Sequence, residues 1–370
     1  MRIGFLGAGQ LAMMMGQAAT TLGCSVHALE STAGTCANQV MPVTVGDFSD
    51  TNCLTAFAET VDCVTIESEN IPQAALAHIA NICQVYPKVD TLATCQDRLL
   101  EKRFLQKLHI PTAPFMPVED DASLRDALSQ LGTPAILKTR RLGYDGKGQI
   151  RINQAKQADA IKQCHPLLAN QPCVLEGMVD FDYEVSQISV RDHHGTIRHY
   201  PLVENTHRAG ILRLSHLPCQ AADDSLSQQA QAMMTQVLQA FDYVGVLVIE
   251  FFVCNQTLIA NEMAPRVHNS GHWSIEGANV SQFTQHIRAI TQQAAQAISV
   301  TEMVSMWNMI GNCIPPESLS AFAPLCYHDY SKAARPGRKL GHITLVGGTA
   351  AAHHAFRRLA LETPDQTVTP

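Results

Sequence analysis

Apolar runs alternate with amphipathic segments through the first ninety residues. The pattern predicts buried strands at RIGFLG, SVHALE, DCVTIE and CQVYP, and helices at QLAMMMGQAATTL and PQAALAHIA. Proline begins the second helix, where its missing N–H costs little. Strand–helix alternation with short links predicts a parallel sheet with helices on both faces.

The pattern changes after residue 92. One amphipathic helix is predicted over TCQDRLLEKRFLQKLH, with Leu100, Phe104 and Leu108 on one face, followed by the proline-stiffened link IPTAPFMPV. A small α+β unit is then predicted from a helix near 122–131, strands at AILKT and QIRI, a helix near 155–163 and a strand at CVLEG.

The second half reads mainly as strands. YEVSQISV, IRHYPLV and ILRLSHL precede a Gln/Ala-rich helix over 223–241, and a short turn joins the apolar strands VGVLVIEFFV and TLIANEM. A smaller strand-and-helix cap is expected from about 300, with a frayed tail at ETPDQTVTP.

Composition narrows the class of protein. A chain of 370 residues exceeds what one core usually supports, and its net charge of −7 argues against broad nucleic-acid binding. No signal peptide is recognised at MRIGFLGAG and no apolar run approaches the ~20 residues of a membrane span, so we expect a cytoplasmic protein. The 12 cysteines form no C-x-x-C pair, which favours buried free thiols over a metal site.

The segment from Gly7 to Ala12 fits the G-x-G-x-x-G/A dinucleotide fingerprint, and Glu30 ends the next strand. An NAD-dependent dehydrogenase is one interpretation. The other is a tight turn that needs glycine whatever it binds, with Gln10 at the helix start facing a small anionic ligand. The motif alone leaves both open.

Carboxylates follow the third strand in TIESENIP. Glu67 and Glu69 point the same way if the strand continues, at the strand ends that line the ligand crevice of such sheets. Glu69 is suited to an amine substrate; a solvated loop is the alternative.

A glycine-rich stretch, LKTRRLGYDGKGQ, joins two predicted strands. It lacks the G-x-x-x-x-G-K-[ST] pattern and the strand-to-helix context of a Walker A loop. We therefore interpret it as a flap that closes over phosphates, with Lys138 on the preceding strand reaching an α/β-phosphate. A flexible surface hairpin is the alternative, which Tyr144 and Asp145 make less attractive.

Carboxylates also occur inside the apolar strands near residue 255. A hairpin loop with an odd number of residues, centred on Gln256, would place Glu250 opposite Glu262. Two facing carboxylates and the amide of Asn261 suit Mg²⁺, and Arg266 is placed to steady a transferring phosphoryl group. Carboxylates bonded to nearby backbone or bases are the alternative. A weaker signal is Glu176 at a strand end before Glu184: the backbone from Glu176 to Val179 is suited to an adenine edge, and Glu184 to ribose hydroxyls.

Three stretches together, GYDGKGQ, NEMAPRVHNSGHW and ARPGRKLGH, resemble the ATP-grasp superfamily, and more closely its N5-carboxyaminoimidazole ribonucleotide synthetase family. The resemblance runs from Gly7 to His342 and is poor beyond Gly347. It implies an α/β and α+β fold in which a Rossmann-like pre-ATP-grasp domain over 1–92 precedes an ATP-grasp domain over 93–300. A nucleotide-clamping subdomain is expected at about 110–180, and a small C-terminal domain over 301–370 completes the substrate site.

The resemblance also implies the activity: carboxylation of 5-aminoimidazole ribonucleotide with bicarbonate, ATP and Mg²⁺, through carboxyphosphate, by a homodimer. It implies no nucleic-acid or membrane partner. Closure of the flap would then protect the intermediate from water.

Site residues are carried over from the resemblance position by position. The metal ligands are Glu250 and Glu262, and the catalytic residues are Tyr144, Asp145, Lys147 and Arg266. The ATP site comprises Arg98, Lys138, Gly143, Tyr144, Asp145, Gly146, Lys147, Gly148, Gln149, Glu176, Gly177, Met178, Val179, Glu184, His207, Asn261 and Glu262. The substrate site comprises Gln10, Leu11, Glu69, Arg266, His268, Asn269 and Ser270, with Lys332, Arg338 and Lys339 on the ribose phosphate.

Lys147 stands where some relatives carry arginine, which keeps the charge but not a bidentate contact. Besides the dehydrogenase, two alternatives remain: another ATP-grasp ligase, such as the formate-dependent glycinamide ribonucleotide transformylase, and a regulator that only binds nucleotide.

Overall fold

The N-terminal part is a parallel sheet covered by helices. A computed structural model describes residues 1–143, 148–153, 157–219, 224–322 and 324–364. The sheet has the strand order β3-β2-β1-β4-β5. Its strands are β1 (Arg2–Leu6), β2 (Ser25–Glu30), β3 (Val43–Val45), β4 (Cys63–Ile66) and β5 (Gln84–Tyr86). The helices here are α1 (Gln10–Thr21), α2 (Thr51–Ala58), α3 (Gln73–Ala80) and α4 (Val89–Cys95). The predicted parallel sheet is confirmed, although the pattern did not indicate β3 or α2.

The single helix predicted over residues 94–109 is wrong. The chain forms α4 and then α5 (Arg98–Lys107), with a break at Asp97, whose backbone is extended. The Asp97 carboxylate accepts the N–H groups of Leu99 at 3.0 Å and Leu100 at 3.4 Å. Aspartate is a preferred N-cap because its oxygen satisfies N–H groups that a new helix leaves unpaired, and here it starts α5.

A small antiparallel sheet follows, in the order β6-β9-β7-β8. It contains β6 (Phe115–Val118), β7 (Ala135–Thr139), β8 (Gln149–Ile152) and β9 (Cys173–Gly177). Helices α6 (Asp121–Leu131) and α7 (Gln157–Leu168) pack on it around a core that includes Leu124, Leu137 and Cys164. The link predicted at IPTAPFMPV therefore contains a strand, β6, because residues 115–118 pair with β9.

The remaining strands form one large antiparallel sheet, ordered β15-β14-β10-β12-β13-β16-β18-β17, with β11 beside β10. They are β10 (Tyr183–Arg191), β11 (Ile197–His199), β12 (Val203–Arg208), β13 (Ile211–Leu217), β14 (Gly245–Cys254), β15 (Thr257–Ala264), β16 (Val304–Ile310), β17 (Leu325–Asp329) and β18 (Lys339–Val346). The stretch IRHYPLV, predicted as one strand, divides between β11 and β12. Since β13 pairs with β16, the C-terminal strands extend this same sheet.

Helices cover the large sheet. They are α8 (Asp224–Ala240), α9 (Ser274–Gly277), α10 (Gln282–Ile290) and α11 (Ala350–Glu362), with 3₁₀ turns at Cys36–Gln39, Asn269–Gly271 and Pro316–Phe322. One apolar core contains Phe5 and Ala12 of the N-terminal part together with Val246, Phe283 and Ile287. The parallel and antiparallel sheets are therefore packed against each other, which brings the ends of β4 and β15 close together.

The described part of the chain contains no helix that is long and apolar enough to cross a membrane. All twelve cysteines are free, and Cys313 alone among them is exposed. Six of them are buried and five are partly buried, which agrees only in part with the expectation of buried free thiols.

Candidate functional site

The two strands β14 and β15 place Glu250 directly opposite Glu262. The reason differs from the predicted one, since the turn holds two residues, Asn255 and Gln256, between paired Cys254 and Thr257. An even loop would pair Glu250 with Asn261. A bulge next to Phe251, which pairs with Ala260, shifts the register by one residue and brings the carboxylates together.

The charge around Glu250 favours a cation. Burial raises the pKa of Glu250 to about 7, the charge of His207 opposes that rise, and Glu262 adds to it. A divalent ion would stabilise the charged form of Glu250 beside a second carboxylate. Within the described residues no group of three or more His, Cys, Asp or Glu side chains is arranged to hold a metal. Mg²⁺ fits this pair, because it is usually held by one or two carboxylates plus substrate phosphates and water.

A small cavity adjoins this pair. Its lining residues are Glu184, Val185, Asn205, His207, Glu250, Phe251, Phe252 and Asn261. It brings Glu184, His207 and Asn261 of the predicted ATP set next to Glu250, a predicted metal ligand. Sequence reasoning missed Asn205, although it lies two residues before His207 on β12 and strand side chains alternate between faces.

His207 is in direct contact with the Glu184 carboxylate. Burial lowers the pKa of His207, but the hydrogen bond to Glu184 and the charge of Glu250 outweigh that effect and raise it to about 9. The protonated ring is a donor among acidic groups, as a site for polyphosphate requires.

The side chains of Lys138 and Glu176 meet diagonally across the adjacent strands β7 and β9, since Lys138 pairs with Val174 and Glu176 with Ile136. Their nearest polar atoms lie 3.1 Å apart, and Lys102 of α5 approaches the same oxygen of Glu176 at 3.2 Å. Burial raises the pKa of Glu176, but the two ammonium groups outweigh it, so the pKa is lowered. Lys102 is fully buried. Sequence reasoning missed it, because a lysine on an amphipathic helix is usually exposed.

The stretch from Glu176 to Val179 leaves β9 as a hinge. Its Gly177 N–H donates to Pro114 O at 2.8 Å and its Met178 N–H to Pro134 O at 3.1 Å. The backbone of this stretch is predicted to pair with an adenine edge, and two of its amide protons are already used within the fold.

The flap itself, with Tyr144, Asp145, Gly146 and Lys147, lies outside the described residues, but its base is described. Arg98 donates to Thr139 O at 2.7 Å and also contacts Gly143 O. Thr139 N–H donates to Gly148 O at 2.9 Å, directly before Gln149 in β8. Arg98 therefore connects the start of α5 to the flap base.

The predicted substrate residues collect on the other side of Glu250. Arg266 donates through Nε to Glu69 Oε2 at 2.6 Å. His268 Nδ1 lies 2.9 Å from Ser270 Oγ and 3.7 Å from Glu250 Oε1. Burial, reinforced by the charge of Arg266, lowers the pKa of His268 well below its usual value. This neutral imidazole lies between the Glu250–Glu262 pair and the predicted substrate residues around Arg266.

Asn269 contributes an unsatisfied amide to this side. It is buried, and neither polar side-chain atom has a hydrogen-bond partner among the described residues. Buried amides are normally paired, so this one marks a position for a polar ligand.

A basic patch from the C-terminal part meets the glycine turn. Lys332 Nζ contacts Gln10 Oε1, while Arg338 donates to Ala333 O at 3.1 Å and Lys339 begins β18. Leu11, the next residue of α1, is buried. Gln10 and Lys332, both predicted to bind the substrate, are therefore in contact although they are 322 positions apart in the chain.

Comparison with known proteins covers all three parts of the chain. The ribonucleotide synthetase preATP-grasp domain matches residues 1–96, the ATP-grasp domain matches 103–283, and the phosphoribosylaminoimidazole carboxylase C-terminal domain matches 304–355. A curated relative, the N5-carboxyaminoimidazole ribonucleotide synthase of Pseudomonas aeruginosa, is 42% identical over 93% of this chain and 94% of its own.

Solved structures of similar proteins come from the same family as this curated relative. N5-carboxyaminoimidazole ribonucleotide synthetase from Thermus thermophilus is similar with a TM-score of 0.92 at 42% identity, covering 98% of this chain and 99% of that one. The synthase of Aspergillus clavatus, solved with ADP and 5-aminoimidazole ribonucleotide, has a TM-score of 0.89 at 30% identity and covers 98% and 97%.

Proposed function

The chain belongs to the N5-carboxyaminoimidazole ribonucleotide synthase family of ATP-grasp ligases, and from that premise we propose how its own residues carry out the reaction. The enzyme carboxylates 5-aminoimidazole ribonucleotide at the expense of ATP, in purine biosynthesis. We propose bicarbonate as the carboxyl source, Mg²⁺ as the metal, and a cytoplasmic homodimer as the working form.

One observation carries this assignment. Glu250 opposes Glu262 on one side and lies 3.7 Å from His268 on the other. A phosphoryl group held by a metal ion at the two carboxylates would therefore lie close to His268 and Arg266 as well. Such convergence is what transfer between two bound substrates requires.

On the nucleotide side, Lys138 supplies a positive charge to the phosphates and Glu184 a carboxylate to the ribose hydroxyls. Mg²⁺ on Glu250 and Glu262 would neutralise the charge of the phosphates. Protonated His207 donates into the same cavity. The flap, including Lys147, would cover the phosphates, and Arg98 holds its base.

On the substrate side, ATP transfers its γ-phosphoryl group to a bicarbonate oxygen, which yields carboxyphosphate and ADP. The exocyclic amine then attacks the carbonyl carbon, phosphate leaves, and the nitrogen loses a proton. The Arg266 guanidinium and the unpaired Asn269 amide are suited to hold the planar carboxyl group, because both present donors toward oxygen. Lys332, Arg338 and Lys339 would bind the ribose phosphate.

The test is ADP release by the pure enzyme with each component omitted in turn. Turnover should require ATP, Mg²⁺, bicarbonate and 5-aminoimidazole ribonucleotide together. Turnover with formate and glycinamide ribonucleotide instead would assign the chain to the transformylase reaction, and no turnover with either pair would overturn the proposal. Size-exclusion chromatography with light scattering tests the homodimer.

A further inference from the structure

The glycine turn before α1 surrounds a carboxylate of the chain itself. Glu67, directly after β4, accepts the main-chain N–H of Gly9 and, at 3.3 Å, that of Leu11. Gly9 provides no side-chain cap for α1. The first N–H groups of a helix lack intrahelical partners and carry the positive end of its dipole. Glu67 therefore supplies from a neighbouring strand the negative charge that a pyrophosphate supplies in dinucleotide-binding turns.

The glycines fit this carboxylate. A Cβ on Gly7 would lie 2.9 Å from the Cβ of Glu67, and one on Gly9 would overlap the Glu67 carboxylate. Glu30, which the fingerprint would assign to a ribose, instead accepts the Ala8 N–H at 3.1 Å. The fingerprint is thus accounted for by internal contacts, and the dehydrogenase interpretation loses its support.

The same helix end carries Gln10, which contacts Lys332. Burial raises the pKa of Glu67, while the Gly9 hydrogen bond and the charge of Lys332 oppose that rise. Burial lowers the pKa of Lys332, and Glu67 is among the groups that oppose the fall. Glu67 and Lys332 therefore stabilise each other's charged form across the first turn of α1.

We propose that Glu67 is a positioning residue for the nucleotide substrate. It fixes the first turn of α1 so that Gln10 holds Lys332 where the ribose phosphate binds, and it keeps free phosphate and dinucleotides out of the glycine turn. The inference rests on the proposed function, since the phosphate in question is that of 5-aminoimidazole ribonucleotide.

The experiment compares Glu67→Ala and Glu67→Gln with Glu30→Gln. The Glu30→Gln control removes another carboxylate that contacts the glycine turn. Glu30, however, accepts the N–H of Ala8 and not the N–H groups of the first residues of α1. In Glu67→Ala we expect the KM for 5-aminoimidazole ribonucleotide to rise about tenfold, as loss of a helix cap and its fixed geometry implies. The KM for ATP should stay within about twofold, and the control should keep both values.

Acetate provides a second readout. A free carboxylate can occupy the space that Glu67→Ala leaves at the helix start, so added acetate should lower the raised KM in this variant alone. Equal rises in both KM values without any effect of acetate would mean that Glu67 only supports the fold, which overturns the inference.

If Glu67→Ala fails to fold, the KM values of Glu67→Gln test the positioning role instead, since glutamine keeps the shape of the side chain and one acceptor oxygen. A selective rise in the KM for the ribonucleotide supports positioning, and a wild-type KM overturns it. Failure of the reaction itself is separate: wild-type enzyme without ribonucleotide-dependent ADP release refutes the proposed function, whereas active wild type with unaltered Glu67 variants refutes only the positioning role.

Discussion

Glu69 Oε2 accepts a hydrogen bond from the Nε–H of Arg266 at 2.6 Å and forms an ion pair with its Nη2 at 2.5 Å. The two residues come from different sheets, Glu69 from the loop after β4 and Arg266 from the turn after β15. One carboxylate oxygen therefore fixes the direction of the guanidinium at the place where the carboxyl group would be transferred.

Arg266→Lys should lower kcat by about a hundredfold, because lysine cannot reproduce the planar guanidinium held by Glu69 and the charge moves away from the transferring group. Glu69→Gln should have a smaller effect, since its amide oxygen still accepts from Arg266. Steady-state kcat and KM values for each substrate measure both. Arg103→Lys, an exposed exchange on α5, is the control; an unchanged kcat in Arg266→Lys would contradict this role.

Replacing either Glu250 or Glu262 by glutamine should lower activity by at least about a hundredfold, since each is expected to hold the same ion. The double variant should be little worse than either single one, because residues that act as a unit have non-additive effects. Titration of kcat with Mg²⁺ measures this, and the exposed Glu59→Gln serves as control. Additive losses, or a Mg²⁺ dependence like that of wild type, would argue against a shared ion.

The sequence predicted the parallel sheet and most strands, because alternation is a local signal. The full set of site residues rests on the family resemblance and stays a prediction. The sequence also predicted that Glu250 and Glu262 face each other, but from a turn with an odd number of residues. The turn has two residues, and the bulge at Asn261 that restores the pairing is not visible in the hydrophobic pattern. The hydrophobic pattern continues through Asp97 and so predicts one helix, whereas the Asp97 side chain caps α5 and separates it from α4.

The hydrophobic pattern does not predict contacts between segments that are distant in the chain. Lys102 approaches Glu176 from another element, and Glu67 caps α1 from another strand. Their positions depend on how the sheets pack, and a single sequence carries no periodicity that reports it. The glycine fingerprint was ambiguous for the same reason: the carboxylate that fills it comes from 58 residues away.

Arg98 should act through the flap base. Arg98→Met removes the donors to Thr139 O and Gly143 O, which lie at the start of the flap. We expect the KM for ATP to rise about tenfold, which corresponds to about 1.4 kcal/mol, roughly the loss of one charge-assisted hydrogen bond, because Arg98 acts on ATP only through the flap base. The KM for the ribonucleotide should change little, and limited proteolysis should cut the flap faster. Arg103→Met on the same helix is the control; equal cleavage rates in the two variants would contradict the idea.

His286 links the N-terminal sheet to the large sheet. Its Nε2 lies 2.9 Å from Thr65 Oγ1 of β4, and its Nδ1 accepts the Val246 N–H of β14 at 3.0 Å. The ring is fully buried, and burial lowers its pKa to about 4. Because Nδ1 accepts a hydrogen bond, a proton there would break the link.

Stability should therefore fall in acid. Below about pH 6.5 the unfolded chain binds a proton on this histidine and the folded chain does not, so the free energy of unfolding falls until about pH 4 and the effect is constant below that. Between pH 7 and pH 5 the loss from His286 should be about 2 kcal/mol. His286→Gln can still accept and donate but does not titrate, so its urea unfolding should show a pH dependence smaller by that amount. His354→Gln, an exposed exchange on α11, controls for the loss of one histidine, and a pH dependence in His286→Gln equal to that of wild type would contradict the assignment.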